Sequence, residues 1–318
     1  MNISNINVSA IIPTIGRESL FRSLDSVYKQ QFKPTEIIIS YDGDNFEEFK
    51  NKIEVYLEKI NENIPLYLIN VGPFSGGNTA RQAGINKSVS EYIALLDDDD
   101  IWHTDHLLNY VKILCKSQNG KLKLLSCKAN IIDITLHNNS IIVPPRLIHS
   151  NESIPDYLFK VNNIKADLGF IQSSLILFSK DLALSVPFDI NLKYHQDIDW
   201  LLRVSQSGID FEFIQSDLIT VTYYSTPLSV SKKISAVQSL RWSLNNFKDK
   251  RCLGDFILTQ SYNYARKNGR VVDELYILYA SFVYGKPGIY ALARFMLKLF
   301  RIDNILKILK KKQKVILI

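Results

Sequence analysis

The feature that most restricts how this chain can fold is an alternation. Between Val8 and Lys116, four short apolar runs each give way to a segment with apolar residues three and four apart. The runs are Val8 to Ile12, Glu36 to Ser40, Leu66 to Asn70 and Tyr92 to Leu96. The helical segments carry Leu20, Leu24 and Val27, then Phe49, Ile53, Tyr56, Leu57 and Ile60, then a helix beginning at Asn78, then one capped by Thr104. Strand and helix alternating four times predict an α/β fold, a Rossmann-like and mostly parallel sheet flanked by helices. Pro13 is expected to stop the first strand, because proline cannot donate to a central ladder.

Each predicted strand ends in polar residues: Pro13-Thr14, Asp42, Asn70 to Gly72, and Asp97 to Asp100. A parallel sheet brings these ends to one edge, where ligands of α/β proteins bind. Four adjacent carboxylates raise one another's pKa unless a cation neutralises them. Their hard oxygens suit Mg²⁺ or Mn²⁺, ions that commonly travel with phosphate. A solvated acidic turn is the other reading of the run. Asp42-Gly43-Asp44-Asn45 reads either as a plain turn or as a ligand loop. The glycines at 72–77 lack P-loop spacing and no GxGxxG follows the first strand, which excludes those two nucleotide-binding routes. The helix from Asn78, carrying Arg81, would aim its N-terminus at the same edge, ready for an anionic group. His103 and His106 have no third ligand nearby and read as surface residues.

The second half is less regular. Strands are expected over Lys123 to Ile134, Ile141 to Val143, Phe170 to Phe178, Phe211 to Ile214 and Leu218 to Tyr223. Short helices are expected near Ile154 to Lys160 and from Asp181 to Pro187. Ile198, Leu201 and Leu202 mark a helix starting near Asp197, whose carboxylate the helix dipole or N-capping would favour. His195 reads as a loop residue. From about Ile234 the chain turns helical, with Ile257, Tyr262, Tyr264, Leu275, Leu278 and Phe282 expected in a core. The division is therefore a domain over residues 1–232 and a helical C-terminal region over 233–318.

Charge and cysteines set further limits. The net charge is +6, yet residues 289–318 alone carry eight Lys or Arg and one Asp. A basic tail on a near-neutral body points to a local anionic partner and away from a nucleic-acid-binding protein. Apolar residues on one face of that tail, from Leu292 to Leu309, suit an amphipathic helix on an anionic membrane surface or one packed on its own domain. Cys115, Cys127 and Cys252 form no disulfide framework, which fits a reducing compartment. Met1 to Asn7 does not read as a signal peptide, and no apolar run reaches membrane-spanning length. The expected location is cytoplasmic, with peripheral contact at the inner face of the cell membrane.

Five stretches together resemble a family 2 glycosyltransferase with the GT-A fold, of the type that builds bacterial surface polysaccharides. They are Val8 to Thr14, Glu36 to Gly43, Gly77 to Gly84, Leu95 to Trp102, and His195 through Arg203. They follow the family's order over about residues 6–230. The resemblance implies that Pro13, Thr14 and Arg17 border the nucleotide, with Asn78 and Arg81 close by. Asp42 stands where the family's base-binding aspartate stands; Tyr41 replaces the first Asp of the common Asp-Asp-Gly, so Asp44 is the alternative. Asp97 and Asp99 form the family's DxD, Asp99 touching metal and Asp97 or Asp98 nearer the ribose. Asp197 matches the acidic residue of the Glu-Asp motif, with Gln196 in place of Glu. The His that many relatives carry after the last sheet strand is absent between Phe213 and Lys233, so a fourth, protein-derived metal ligand is in doubt.

The implied chemistry is inverting transfer from a nucleotide sugar, UDP-linked, to a hydroxyl of a lipid-linked oligosaccharide, with Mg²⁺ or Mn²⁺ and Asp197 as general base. Two rivals are a sugar nucleotidyltransferase and a catalytically silent binding subunit. The nucleotidyltransferase would want a Gly- and Lys/Arg-rich loop after the first strand, and Pro13-Thr14-Ile15-Gly16-Arg17 is a poor version. A silent subunit would not need both the acidic run and Asp197.

Overall fold

The computed structural model describes residues 3–117, 120–133, 139–165, 167–225 and 234–299. By contact the chain divides into two compact units: residues 1–150 with 169–232, and residues 151–168 with 233–318. Sequence alone set one boundary near residue 232; residues 151–168 group with the C-terminal helices as well.

The first unit is built on a nine-stranded mixed sheet. Strands β1 (Val8–Thr14), β2 (Glu36–Tyr41), β3 (Leu66–Asn70) and β4 (Tyr92–Leu95) are parallel, with β1 between β2 and β4. Helices α1 (Ser19–Tyr28), α2 (Phe46–Leu57) and α3 (Gly77–Lys87) make the crossovers. β1, β2 and β4 are buried at every residue, as strands covered on both faces must be. β1 runs through Pro13, contrary to the expected stop. The reason lies in the ladder: Ile11 is the last β1 residue in register with β4, whereas Pro13 and Thr14 remain in register with Ser40 and Tyr41 of β2. The Ile11 carbonyl accepts from Leu96 and the Thr14 carbonyl from Asp42, so Pro13 faces the β4 side, where pairing has already ended. No ladder bond is lost.

Beyond β4 the direction changes. After β5 (Ile101–Trp102) and α4 (His106–Lys116) come β6 (Leu122–Asp133) and β7 (Asn139–Val143). α5 (Ile154–Phe159) follows, then β8 (Ile176–Ser179), α6 (Lys180–Ser185), α7 (Gln196–Gln206) and β9 (Phe211–Ser225). β8 is antiparallel to both β4 and β6, and β9 is parallel to β6. The two strands expected between Phe211 and Tyr223 are one, bent where the register shifts around Lys128. The strand expected over Phe170 to Phe178 is half that length. Gln172 accepts from the Ser174 amide, and Ser173–Leu175 is a 3-10 turn before β8 begins. His106 is a core residue, not a surface one: it stacks on Trp102 at 4.7 Å and its Nδ1 lies 2.8 Å from the Thr220 hydroxyl. Burial pushes its pKa down to about 3, so it stays neutral.

The second unit contains α5, α8 (Ala236–Asn246), α9 (Lys250–Phe256), α10 (Tyr262–Asn268), α11 (Val271–Val283) and α12 (Ile289–Leu299), with a π turn at Ile257–Ser261 joining α9 to α10. Phe159, Trp242, Phe247 and Phe256 form its aromatic centre. The buried Asp255 carboxylate accepts from the Val161 and Gly288 amides and from Arg251. Gly254 lies so close to the backbone of Gly285 to Pro287 that a Cβ would not fit. The expected core positions divide. Ile257 and Tyr262 are buried, but Leu275 and Phe282 are exposed, because α11 buries Ile277, Ala280 and Ser281 instead. α12 packs through Ala291 and Phe295, the latter edge-on to Tyr262 at 4.8 Å. The expected amphipathic tail continues past Leu299, outside the described residues. No helix among those described is long and apolar enough to cross a membrane.

Candidate active site

The acidic run is the link between β4 and β5, and β5 pairs with β9. Leu96 to Asp100 therefore crosses the carboxyl edge of the sheet, and its four carboxylates meet four different settings. Asp97 faces Arg81, whose Nη2 donates to Oδ1 at 2.8 Å, and Gln172, whose amide donates to Oδ2 at 2.7 Å. Asp98 is buried; the Thr14 hydroxyl donates to its Oδ2 at 2.5 Å and Arg17 to its Oδ1 at 3.2 Å. Asp99 accepts from the same Arg17 nitrogen at 3.0 Å, while Arg22 holds its carbonyl. Asp100 is fully buried, with Ser174 donating to Oδ2 at 2.6 Å and the Tyr224 amide to Oδ1 at 3.2 Å. It ties β9 and the 3-10 turn to the run.

Burial and mutual repulsion set the protonation of this group. Burial raises the Asp98 pKa to about 6, against the opposing pull of Arg17. Asp99 is raised by burial and then by the charge of Asp97. Asp100 is raised well above the usual carboxylate range, chiefly by burial.

Arg81 joins this run to the second acidic position. α3 starts at the carboxyl edge and presents Arg81 one turn in, three residues before Gly84, whose missing side chain lets the helix sit directly on Ile11 and Ser40. One guanidinium bonds Asp97 through Nη2 and Gln196 through Nη1, the latter at 2.8 Å. Burial works against its charge, but Asp97 and Asp197 outweigh that and hold its pKa above the ordinary value. Its Nε is buried and bonds nothing among the described residues. Asp197 follows Gln196 in the first turn of α7. Its Oδ1 accepts from the Ser173 hydroxyl at 2.6 Å and its Oδ2 from the Ser173 amide at 3.3 Å. Burial raises the pKa of Asp197, and Arg81 opposes the rise. The residue before α7, His195, adopts a left-handed φ of 58° and is pushed down to about pKa 4 by burial.

Asp42 has a different surrounding. Its two carboxylate oxygens accept from the Ser75 and Gly76 amides at 2.6 and 2.7 Å, and its carbonyl accepts from Phe74. These bonds hold the loop entering α3, including Phe74 at a left-handed φ of 59° with 71% of its side chain exposed. Asp44 is exposed two residues on, so of the pair only Asp42 is built into the site's frame. Asn78 is buried and donates to the Asp189 carbonyl.

The structure thus brings Thr14, Arg17, Arg81, Asp97, Asp98, Asp99 and Asp197 into one connected set, with Pro13 beside Thr14 and Asp42 holding the neighbouring loop. Sequence reading missed Gln172, Ser173, Ser174 and Tyr224. The Gln-Ser-Ser run interrupting an apolar stretch was the one local signal. Nothing local marks Tyr224, whose ring lies 4.1 Å from the Arg22 guanidinium.

Among the described residues no three His, Cys, Asp or Glu side chains converge as an all-protein metal cage. Asp97 and Asp99 are similarly exposed, at 22% and 23%, but the Asp97 carboxylate is committed to Arg81 and Gln172, while that of Asp99 accepts from Arg17 alone among the described residues. One accessible carboxylate with a second nearby is the donor set Mg²⁺ or Mn²⁺ accepts when diphosphate oxygens complete the shell, so these residues fit a shared ion and not a resident one.

Comparison with known proteins gives a consistent result. The model of "Glycosyl transferase family 2" matches residues 9–181. The amylovoran biosynthesis glycosyltransferase AmsB of Erwinia amylovora is 27% identical over 245 residues, 76% of this chain and 77% of that protein. A Campylobacter jejuni GalNAc(5)-diNAcBac-PP-undecaprenol beta-1,3-glucosyltransferase is 32% identical over 94 residues, 29% of each chain. Among solved structures, S. aureus TarS aligns with TM-score 0.54 at 17% identity, covering 83% of this chain and 45% of TarS. TarS 1–349 in complex with UDP-GlcNAc aligns with TM-score 0.54 at 16% identity, covering 88% of this chain and 74% of that one. At such identity these two share the fold.

Proposed function

Because the chain belongs to glycosyl transferase family 2, we propose that it is an inverting glycosyltransferase of surface-polysaccharide synthesis (O-antigen or capsule). It moves a sugar from a UDP-linked nucleotide sugar to a hydroxyl of a lipid-linked glycan. The observation that carries the reading is the single Arg81 guanidinium bonded at once to Asp97 and to Gln196, next to Asp197. It fixes the acidic run and the candidate base in one geometry, although a hundred residues separate them in sequence. The names of AmsB, of the undecaprenol-linked glucosyltransferase and of the UDP-GlcNAc complex support the polysaccharide, lipid-linked and UDP parts of the proposal.

In this mechanism the donor diphosphate lies along the carboxyl edge beside Asp99 and competes for Arg17. A divalent ion held there by Asp99, with Asp97 alongside, would supply charge stabilisation to the leaving diphosphate. Thr14, Arg17 and Asp98 border the nucleoside, and Asp42 keeps the loop at 74–76 in position for the base. Asp197 accepts the proton of the acceptor hydroxyl as its oxygen attacks the anomeric carbon from the side opposite the diphosphate. The bond to the diphosphate breaks with its electron pair, and the anomeric centre inverts. A carboxylate raised by burial is a better base than one in water, and Ser173 orients it.

The lipid-linked acceptor would place the enzyme at the inner face of the cell membrane, with residues 289–318 touching anionic lipid. Asp197→Asn tests the central assignment. Sugar transfer should fall roughly 10²–10⁴-fold while UDP binding stays within a few-fold. Robust transfer by that variant would remove Asp197 from the mechanism.

A further inference from the structure

α11 carries a face that its own unit leaves uncovered. Val271, Val272, Leu275, Tyr276, Tyr279, Phe282 and Val283 recur three and four residues apart, and their side chains are between 48% and 73% exposed. The opposite face, Ile277, Ala280 and Ser281, is buried. This is the inverse of an ordinary surface helix, whose apolar stripe faces the core. α12 repeats the arrangement: Ala291 and Phe295 are buried, while Ile289, Tyr290, Met296 and Leu299 are exposed. A contiguous apolar surface of this kind marks an interaction site.

Charge decides the partner. The two acids in the first turn of α11 are already engaged: Asp273 lies 3.8 Å from Arg270, and Glu274 accepts from the Tyr262 hydroxyl. From Leu275 to Ile318 the sequence holds nine Lys or Arg and a single acid, Asp303. Of these cations Lys286, Arg294 and Lys298 lie within the described residues, and the others follow in the sequence. A second copy of the chain would set this basic stretch of sequence against itself, and a typical protein partner would need a matching acidic and apolar face. An anionic lipid surface supplies both. Its headgroups neutralise the cations, and its interfacial layer takes tyrosine and phenylalanine, whose rings are apolar with, for tyrosine, a polar tip.

We propose that the exposed face of α11, continued by α12, is a docking surface for anionic phospholipid. α11 lies in the plane of the interface with Leu275, Tyr279 and Phe282 among the acyl chains. At about 20 Å, 13 helical residues lie along a bilayer and do not span it. This deepens the lipid-linked-acceptor reading and rests on it: the acceptor is carried by the membrane, and α11 gives the enzyme its own purchase there.

The test is flotation of the full chain with vesicles of phosphatidylglycerol mixed with phosphatidylcholine, and with phosphatidylcholine alone. The wild type should float with the anionic vesicles and stay behind with the neutral ones. Leu275→Glu combined with Phe282→Glu should lower the bound fraction about fivefold or more, with the melting midpoint moved only slightly because both residues are more than half exposed. Tyr279→Ser, a smaller change, should give an intermediate loss. Undiminished binding by both variants overturns the proposal. So does a wild type that ignores anionic vesicles, or a dimer in sedimentation that the double variant dissociates, which would assign the face to a second copy. UDP affinity measured on the same samples tells the two readings apart: loss of lipid binding with UDP affinity intact leaves the transferase reading standing.

Discussion

The acidic run is held by an arginine on each side, and the two sides are built differently. On the inner side Arg81 is 8% exposed and serves Asp97 and Gln196 with separate nitrogens. On the outer side Arg17 is 41% exposed and shares one nitrogen between Asp98 and Asp99. A buried guanidinium with fixed partners is a strut, because removing it takes the cation from Asp97 and from beside Asp197 at once. An exposed one that divides one nitrogen between two acids is loosely held, and a diphosphate could compete for it. The inner side therefore maintains geometry, and the outer side is the side that exchanges partners.

The largest effect that could break this comparison is at the strut. Arg81→Met should cost about 3–5 kcal/mol in urea unfolding, since Asp97 loses its ion pair and Asp197 the cation beside it. Arg81→Lys should recover little, because one ammonium cannot fork to Asp97 and Gln196 together. A loss under about 1 kcal/mol would mean the inner side is no strut.

A second effect, no larger than the low end of that range, reads the outer side through pH. The folded pKa of Asp98 is about 6 against an ordinary value of 3.8, so between these values the folded chain binds more protons than the unfolded one. Stability from this group therefore falls as pH rises from about 4 to about 6, by up to about 3 kcal/mol. In chelator, unfolding free energies of wild type and Asp98→Asn should diverge over that window, the variant gaining as pH rises. Parallel curves would show that Arg17 keeps Asp98 charged throughout.

The smallest effect is at Arg17 itself. Arg17→Ala should change stability by less than about 1 kcal/mol while weakening UDP binding several-fold, as measured by calorimetry. A stability loss matching that of Arg81→Met would erase the distinction between the two sides.

How far the sequence carried this picture follows from the range of each interaction. The four parallel strands and their polar ends were legible because period and strand length are local properties. The acidic run from Asp97 to Asp100 stood out as something a core does not need, while the roles of Asp97, Asp99 and Asp197 came from the family resemblance. Their partners did not: Gln172 and Ser174 reach the run across more than seventy residues, and the turn that aims them looks like the middle of a strand. Asp100 had no assigned role because its bond to the Tyr224 amide depends on how β9 pairs. His106 misled for a related reason. A histidine beside a helix start resembles a surface residue until Trp102 and Thr220 close over it. On α11 the periodicity was right and its direction wrong, since a helical stripe says which residues share a face and not what that face meets.

The end of β4 has a consequence for how this chain can tolerate change. Pairing with β1 stops from both sides at once. Pro13 offers no amide hydrogen toward β4, and on the opposite, β8 side the Asp97 amide is taken at 3.0 Å by the Ser174 hydroxyl. The stop works as a reading frame for the four aspartates. An insertion or deletion of one residue between Leu95 and Asp97 would shift every carboxylate to its neighbour's station. Arg81 would meet an apolar side chain or the wrong acid, and the burial meant for Asp100 would fall on another residue. Loops are where homologous chains usually vary in length, but this one should be as intolerant of length change as a strand in the middle of the sheet.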